Sequence, residues 1–175
     1  MSGKPRIWLF GDDVNTDLII PGRYLDSYDP AHLASHAMEG ANKDFAAGVT
    51  EGDIIVAGGN FGCGSSREQA VIALKRSGVQ AIIARSFARI FYRNAINLGL
   101  PVVVSDTADS LFKDGDSALL EVEAGTLASL DGTKVAALDK IPNHVRVILD
   151  HGGLIPYVKA KIEKKKSGPI LLKRK

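Results

Sequence analysis

The part of the sequence best suited to chemistry is a glycine-rich loop that brings two hydroxyl groups and a guanidinium to one place. It runs from Gly58 to Glu68 and has four glycines among its first seven residues, at positions 58, 59, 62 and 64. Glycines leave few side chains to obstruct a ligand that approaches the backbone. Ser65, Ser66 and Arg67 follow at once and lead into a predicted helix, whose free N–H groups and dipole favour anions. The loop therefore predicts a binding site for an anion.

Other functions compete with anion binding for this loop. Ser65 and Glu68 have the spacing of a capping box, so Ser65 as a simple helix cap stays open. A dinucleotide-binding turn fits poorly, because Arg67 stands where its third glycine would be and the stretch 84–87 lacks the ribose-binding acid. A phosphate-binding Walker loop is excluded because no Gly-Lys-Ser/Thr occurs.

Metal-ligating residues are sparse. Cys63 is the single cysteine, which excludes an internal disulfide and an all-cysteine metal site, and we expect a reduced, cytoplasmic protein. His32 and His36 are four residues apart, but no acid accompanies them in a zinc-protease pattern, so we expect structural or surface histidines. The sequence predicts no metal site in this chain.

The loop is positioned by the most regular part of the chain. Apolar segments at 7–10, 54–57, 81–84 and 101–104 predict buried strands. Helices are predicted at 66–77 and at 87–98, the second capped by Ser86. Strands and helices alternating at this spacing indicate right-handed β-α-β units and a parallel sheet.

The rest of the chain has shorter elements. Residues 11–28 read as a functional loop, and a short helix is predicted at 31–38, closed by Gly40. Short strands are predicted at 118–122, 134–137 and 145–149, with turn signals at Asp131-Gly132 and Pro142-Asn143. We expect this added β-structure to pack on the parallel part, giving an α/β domain with a second β-layer.

Composition places the chain among ordinary soluble domains. Its 175 residues are 45% hydrophobic and 24% charged, which suits one domain with a real core. No apolar run approaches the ~20 residues of a membrane span, and we expect neither a signal peptide nor a membrane partner.

Residues 159–175 carry a local charge of +7, whereas the rest of the chain carries −5. We expect a solvated extension rather than a nucleic-acid-binding tail, because no aromatic residues interleave its lysines; an RNA-binding role stays the alternative.

Two long motifs in order resemble a known family. Residues 12–25 and 58–68 look like the small subunits of isopropylmalate dehydratase and homoaconitase, and like the last domain of aconitase. The similarity continues through residues 84–99 and 152–156, and so covers about 5–158. The resemblance implies an aconitase-type swivelling domain over 1–158, with three layers, β/β/α, and a parallel β-α-β core. Residues 159–175 would be a basic carboxyl-terminal extension.

The resemblance also implies a reaction and roles for residues. The family removes water from a hydroxy-acid and returns it at the neighbouring carbon. The serine matching Ser65 abstracts a proton as its alkoxide, which requires strong stabilisation of the anion. Arg67 would grip a substrate carboxylate, Ser66 would add a hydrogen bond, and Thr16 and Asp17 match active-site positions. A structural Asx-turn stays the alternative for Asp17.

The hydroxyl leaving group needs a Lewis acid, which in the family is a [4Fe–4S] cluster held by three cysteines. Cys63 alone cannot hold such a cluster. The resemblance therefore implies no cofactor in this chain and a cluster-binding large subunit as partner.

Substrate choice is expected to depend on the segment Tyr24-Leu25-Asp26-Ser27. Relatives acting on tricarboxylates tend to have an arginine there, and isopropylmalate enzymes an apolar residue, whereas this chain has Asp26 and Ser27. An inward Asp26 would repel an extra carboxylate. The leading interpretation is the small subunit of a [4Fe–4S] hydro-lyase that isomerises 2- and 3-isopropylmalate in leucine biosynthesis and is active only with a large subunit. Homoaconitase, dimethylmalate dehydratase and a non-catalytic anion-binding module stay as alternatives.

Overall fold

A four-stranded parallel sheet forms the centre of the molecule. The computed structural model describes residues 4–166. The strands lie side by side in chain order and are β1 (Ile7–Phe10), β2 (Ile54–Ala57), β3 (Ala81–Ala84) and β4 (Val102–Val104). The predicted parallel sheet is confirmed. β4 begins one residue later than predicted because Pro101 has no N–H to donate to the ladder.

Both faces of this sheet are buried, as the continuous apolar strands require. Every residue of β2 and β3 is at most 1% exposed. Successive side chains point to opposite faces, so Ile55 and Ile82 belong to one core cluster and Ile54 and Ile83 to another. The chain therefore has to cover the sheet on two sides.

Helices cover the first face. The two crossovers are α4 (Glu68–Arg76) and α5 (Arg89–Leu98), and each presents an apolar stripe to the sheet. Leu74 of α4 and Ala95 of α5 are fully buried there. Both helices begin about two residues later than the sequence predicted, and the reason lies in the loops before them, described below.

An antiparallel sheet covers the second face. Its strands are β5 (Ala118–Glu121), β6 (Thr126–Ser129) and β7 (Val135–Ala137), in the order β5-β6-β7. Ala118, Leu127 and Ala136 are fully buried and form a core with the far side of the parallel sheet. The predicted three-layer β/β/α arrangement is thereby confirmed, although β6 was not predicted.

The predicted strand at 145–149 is wrong. Residues Asn143–Asp150 form a helix, α7, which follows Pro142. Val145, Ile148 and Leu149 have the i, i+3, i+4 spacing of a helix stripe and pack against the core beside α5. The short apolar run fitted either period, and packing selected the helical one.

The predicted helix at 31–38 is also too long. The helix α2 spans Pro30–Ala34 and is capped by Asp29. Met38 adopts a positive φ of 58°, and its N–H donates to the carbonyl of Ile19 at 2.7 Å, so the chain has left the helix well before Gly40. Contact with the preceding segment thus overrides the local helix signal. Further short helices are α1 (Thr16–Ile19), α3 (Phe45–Gly48), α6 (Ala108–Leu111) and a 3-10 turn at Gly22–Tyr24.

The carboxyl-terminal part of the described chain is a helix, α8 (Leu154–Lys166). It runs through the boundary between 158 and 159 at which a basic extension was predicted. Residues 167–175 of that extension lie outside the described residues, and the division into domain and extension stays a prediction. Among residues 4–166, no helix combines the length and the apolar character needed to cross a membrane.

Candidate active site

A cavity of about 390 Å³ lies where the glycine loop meets the starts of α4 and α5. It is at the carboxyl ends of the parallel strands, the usual place for ligands in such sheets. Its walls come from three separate segments of the chain. The lining residues are Thr16, Gly62, Gly64, Ser65, Ser66, Arg67, Ala88, Arg89, Ile90, Phe91, Arg93 and Asn94.

Backbone hydrogen bonds tie these three segments together. The N–H of Gly62 donates to the carbonyl of Val14 at 2.7 Å, and the N–H of Thr16 donates to that of Cys63 at 2.9 Å. On the other side, the N–H of Ala88 donates to the carbonyl of Phe61 at 2.9 Å. The amino-terminal motif, the glycine loop and the entry to α5 are therefore held as one unit, and this brings Thr16 into the cavity.

Gly62 is required by this arrangement for two reasons. Its φ of +78° lies in the left-handed region, and a Cβ built on it would come within 2.1 Å of Cγ of Phe91. Phe91 is buried and stacks edge-on with Phe61. The glycine thus lets the loop pass directly over α5, which closes the wall of the cavity.

The capping box predicted for Ser65 is wrong. The residue at the N-cap of α4 is Arg67, and no side chain caps that helix. The hydroxyl of Thr16 donates to the carbonyl of Ser65 at 3.1 Å and so holds Ser65 in an extended loop outside the helix. Ser65 and Ser66 are exposed, and their hydroxyls bond no other protein group within residues 4–166. Both hydroxyls are therefore available to a ligand.

Arg67 is held in place by Asp17. Its Nη1 lies 2.5 Å from Oδ1 of Asp17 and 3.3 Å from the carbonyl oxygen of Ile20. The Arg67 side chain is 16% exposed, whereas that of Asp17 is 62% exposed. Asp17 does not line the cavity, and Asn15, rather than Asp17, caps α1. The carboxylate of Asp17 therefore acts on the cavity through the orientation of Arg67.

The predicted cap of α5 is also wrong. That helix begins at Arg89 with Ala88 at its N-cap, and no side chain caps it. The hydroxyl of Ser86 instead accepts the N–H of Asn60 at 2.8 Å, so it secures the glycine loop. α4 and α5 both start at the cavity with uncapped ends, and each contributes partial positive charge there.

Sequence reasoning did not single out Arg89, Arg93 and Asn94, which complete one wall of the cavity. The signal was present, because Arg89 and Arg93 are four residues apart in a predicted helix and so share a face. Among the described residues that line the cavity, three are arginines and none is acidic. The cavity is therefore built to attract an anion.

A second polar network fixes the loop from outside the cavity. Oδ1 of Asp12 accepts the N–H of Gly59 at 2.6 Å and also pairs with Arg85. The Gly59 amide, helped by Arg85, holds the pKa of Asp12 below its usual range. Asp12 is thus ionised at neutral pH and binds the glycine loop to the amino-terminal motif.

The comparison with known proteins agrees with this geometry. Residues 12–107, which include the loop and both cavity-lining helices, match the aconitase C-terminal domain. The chain belongs to the aconitase C-terminal domain family. The predicted family resemblance is thereby confirmed.

Individual members of the family are similar over most of the chain. A Methanopyrus kandleri protein named 3-isopropylmalate dehydratase small subunit 1 is 53% identical over 89% of this chain and 92% of its own length. The methanogen homoaconitase small subunit of Methanothermobacter thermautotrophicus is also 53% identical, over 87% of this chain and 88% of its own length. The crystal structure of 3-isopropylmalate dehydratase from Methanocaldococcus jannaschii superposes with a TM-score of 0.88 at 49% identity, covering 95% of this chain and 100% of that one.

The segment expected to set substrate choice, residues 24–27, does not line the cavity. Tyr24 stacks on His36 at 3.6 Å between ring centroids, and its hydroxyl donates to Glu39 at 3.1 Å. The hydrogen bond from His36, together with that from Tyr24, lowers the pKa of Glu39. Leu25 packs against the core, Asp26 is exposed, and the Ser27 hydroxyl accepts the N–H of Asp29. In this family member the four residues 24–27 are thus anchored through Tyr24 and Leu25.

His32, His36 and Cys63 lie in surroundings that do not form a metal site among the described residues. His36 pairs with Glu39 at 2.7 Å, and His32 lies edge-on to Tyr24. Cys63 is a free, half-buried thiol in the glycine loop. In the part of the chain that the structure describes, no three His, Cys, Asp or Glu side chains group as metal ligands.

Proposed function

We propose that the chain is the small subunit of a hydro-lyase of the 3-isopropylmalate dehydratase type, which interconverts 2- and 3-isopropylmalate in leucine biosynthesis. The observation that carries the proposal is the cavity in which the free Ser65 hydroxyl meets Arg67 and two uncapped helix starts. The relatives named as such small subunits support the choice of reaction.

Ser65 is the proposed catalytic base. Removal of a proton next to a carboxylate by a serine alkoxide requires that its negative charge be stabilised. The two uncapped helix starts supply positive potential there, and no acidic residue is among the described residues that line the cavity. Thr16 fixes the backbone of Ser65 through its carbonyl, so its role is to position the base.

Arg67 is proposed to bind a substrate carboxylate, with Ser66 as a further hydrogen-bond donor. The guanidinium offers several donors, and only part of this capacity is used by Asp17 and the Ile20 carbonyl. Asp17 keeps the guanidinium in one orientation, which favours a directional grip on the ligand. The two residues thus function as a pair.

The iron–sulfur cluster implied by the family does not fit the residues of this chain. Cys63 is the single cysteine in the sequence, whereas such clusters are held by several cysteine thiolates. We place the [4Fe–4S] cluster on a large subunit. The name of the relatives as small subunits and the open, exposed position of Ser65 support such a partner. A cytoplasmic location is part of the same proposal.

A homoaconitase-type reaction is the second candidate. The methanogen homoaconitase small subunit is as similar to this chain as the isopropylmalate relative. Asp26 is exposed and outside the cavity lining, so it supplies neither an apolar pocket nor a ligand for a third carboxylate. The isopropylmalate reaction remains the first candidate, because most of the similar proteins are named 3-isopropylmalate dehydratase small subunits.

The test is reconstitution of the full chain with an anaerobically loaded large subunit. Isopropylmalate, homocitrate and dimethylmalate are each offered, and hydration and dehydration are followed. We expect turnover of isopropylmalate and a loss of more than about 10³-fold in kcat for Ser65→Ala. Ser110→Ala, an exposed serine outside the cavity, is the matched control.

Each outcome has a distinct meaning. Turnover of homocitrate alone would replace the first candidate by the second. Turnover that persists in Ser65→Ala would exclude Ser65 as the base. A chain that binds no large subunit and still binds hydroxy-acids would favour a non-catalytic anion-binding module.

A further inference from the structure

Within residues 4–166, Arg89 and Arg93 differ from most arginines in having no acidic partner. Five arginines in residues 4–166 form an ion pair: Arg6, Arg23, Arg67, Arg85 and Arg146. Arg89 and Arg93 are exposed and make no hydrogen bond or ion pair within the same residues. Both line the cavity that contains Ser65.

The charge of the cavity is therefore uneven. Arg67 is countered by Asp17, at 2.5 Å. Arg89 and Arg93 lie on successive turns of α5 and have no such counter-charge in the described chain, so two positive charges face the cavity uncompensated. Two guanidiniums at this spacing suit an anionic group placed between them.

We propose that Arg89 and Arg93 bind a second carboxylate of the substrate, so that this chain itself selects hydroxy-dicarboxylates over hydroxy-monocarboxylates. This inference rests on the proposed function and deepens it. Arg67 and the Ser66 hydroxyl hold the end of the ligand at α4, and the two arginines hold the end at α5. The exposed Ile90 between them continues the same wall and leaves room for an apolar branch.

The experiment compares two ligands that differ by one carboxylate. 3-Isopropylmalate and 2-hydroxy-4-methylpentanoate share the hydroxyl, one carboxylate and the branched chain. Binding of each to the isolated full chain is followed by NMR, through the amides of α5 and the guanidinium N–H groups. In the assembled enzyme, KM for the first and the competitive inhibition constant of the second are measured in parallel.

We expect the dicarboxylate to bind at least about 10-fold more tightly than the monocarboxylate, as for one charge-assisted contact. The double substitution Arg89→Gln/Arg93→Gln should bring the ratio of the two affinities close to one and leave the affinity for the monocarboxylate unchanged. In the assembled enzyme it should raise KM for 3-isopropylmalate and retain kcat. Arg89→Lys/Arg93→Lys should restore part of the ratio, since the charge remains. Arg76→Gln, an exposed arginine on α4 outside the cavity lining, should change neither ligand.

Two results would overturn the proposal. In the first, the double substitution leaves the affinity ratio of the two ligands unchanged but weakens binding of the large subunit. The arginines would then pair with acidic residues of that partner. A ratio near one in the wild-type chain and in the assembled enzyme would show that they are only solvated. Failure of the proposed reaction is distinguishable, since the preference for a dicarboxylate is measured in the isolated chain without turnover.

Discussion

Two loops of this molecule rely on glycines with positive φ, and they are stabilised in opposite ways. One is the glycine loop at the cavity, residues 58–67; the other is the turn between β6 and β7, residues 129–134. In the turn, the hydrogen bonds of the central Asp131 carboxylate all lie within six residues, and only Lys134 at its end pairs with a more distant residue, Asp116. In the cavity loop, the stabilising groups come from segments 25 to 50 residues away in the sequence.

The turn is built from its own side chains. Oδ1 of Asp131 accepts the hydroxyl of Ser129 at 2.5 Å, and the N–H and hydroxyl of Thr133 at 3.0 and 2.8 Å. Gly132 has a φ of +72° and a Cβ there would meet nothing within 4 Å. The hydrogen bonds of Asp131 therefore need no residue outside the turn.

The cavity loop depends on the fold around it. Its backbone bonds Val14 and Ser86, and its glycine at 62 passes over Phe91. A loop of this kind keeps its geometry only when α1, the sheet and α5 are assembled. The difference shows that the cavity loop is held in place by the domain around it, which is what the proposed base Ser65 requires.

The largest expected effect separates steric crowding from backbone strain. Gly62→Ala combines a left-handed φ with a clash against Phe91, so we expect a loss of about 3 kcal/mol or more in the free energy of unfolding. Gly132→Ala has the same backbone strain without a clash and should cost about 1 kcal/mol. Urea unfolding of both variants measures the difference. Equal losses would mean that the cavity loop is no more dependent on its surroundings than the turn.

The second prediction concerns the hydroxyl that secures the cavity loop. Ser86→Ala removes the acceptor of the Asn60 N–H, and we expect a loss of about 1 kcal/mol in the free energy of unfolding. Because the loop carries Ser65, the activity of the reconstituted enzyme should fall as well. Ser110→Ala, whose hydroxyl bonds only its own turn, is the control. A stability loss without any change in activity would show that Ser65 is held independently of Ser86.

The same contrast explains what could be predicted from the sequence. The turn was signalled by Asp131-Gly132, and the strands β1, β2 and β3 by short apolar runs, because each depends on neighbours in the chain. The capping roles of Ser65 and Ser86 were predicted wrongly. Their local patterns fit helix caps, but Thr16 and Asn60, far away in sequence, determine where these residues lie.

The residues of the candidate site also fall into two groups, those that local motifs predicted and those that only the packing revealed. Thr16, Ser65, Ser66 and Arg67 were named from motifs, and the structure brings them to one cavity. Arg89 and Arg93 were passed over because nothing local distinguishes a cavity-lining arginine from a solvated one. Only the packing of α5 beside the glycine loop makes that distinction.

The smallest expected effect tests the independence of the turn. The hydroxyl of Ser129 and the N–H and hydroxyl of Thr133 lower the pKa of Asp131 to about 2. A pKa lowered in the folded state means stability that is present above the ordinary value of 3.8 and is lost as the pH falls towards 2. Asp131→Asn should therefore be less stable than wild type at neutral pH, and this difference should close between about pH 4 and pH 2. NMR titration of the Asp131 carboxyl carbon measures the pKa directly, and Ser129→Ala should raise it. Since the Asp131 carboxylate bonds only residues of its own turn, dehydratase activity should be the same in wild type and Asp131→Asn. A lower activity would mean that the two loops are coupled through the second β-layer.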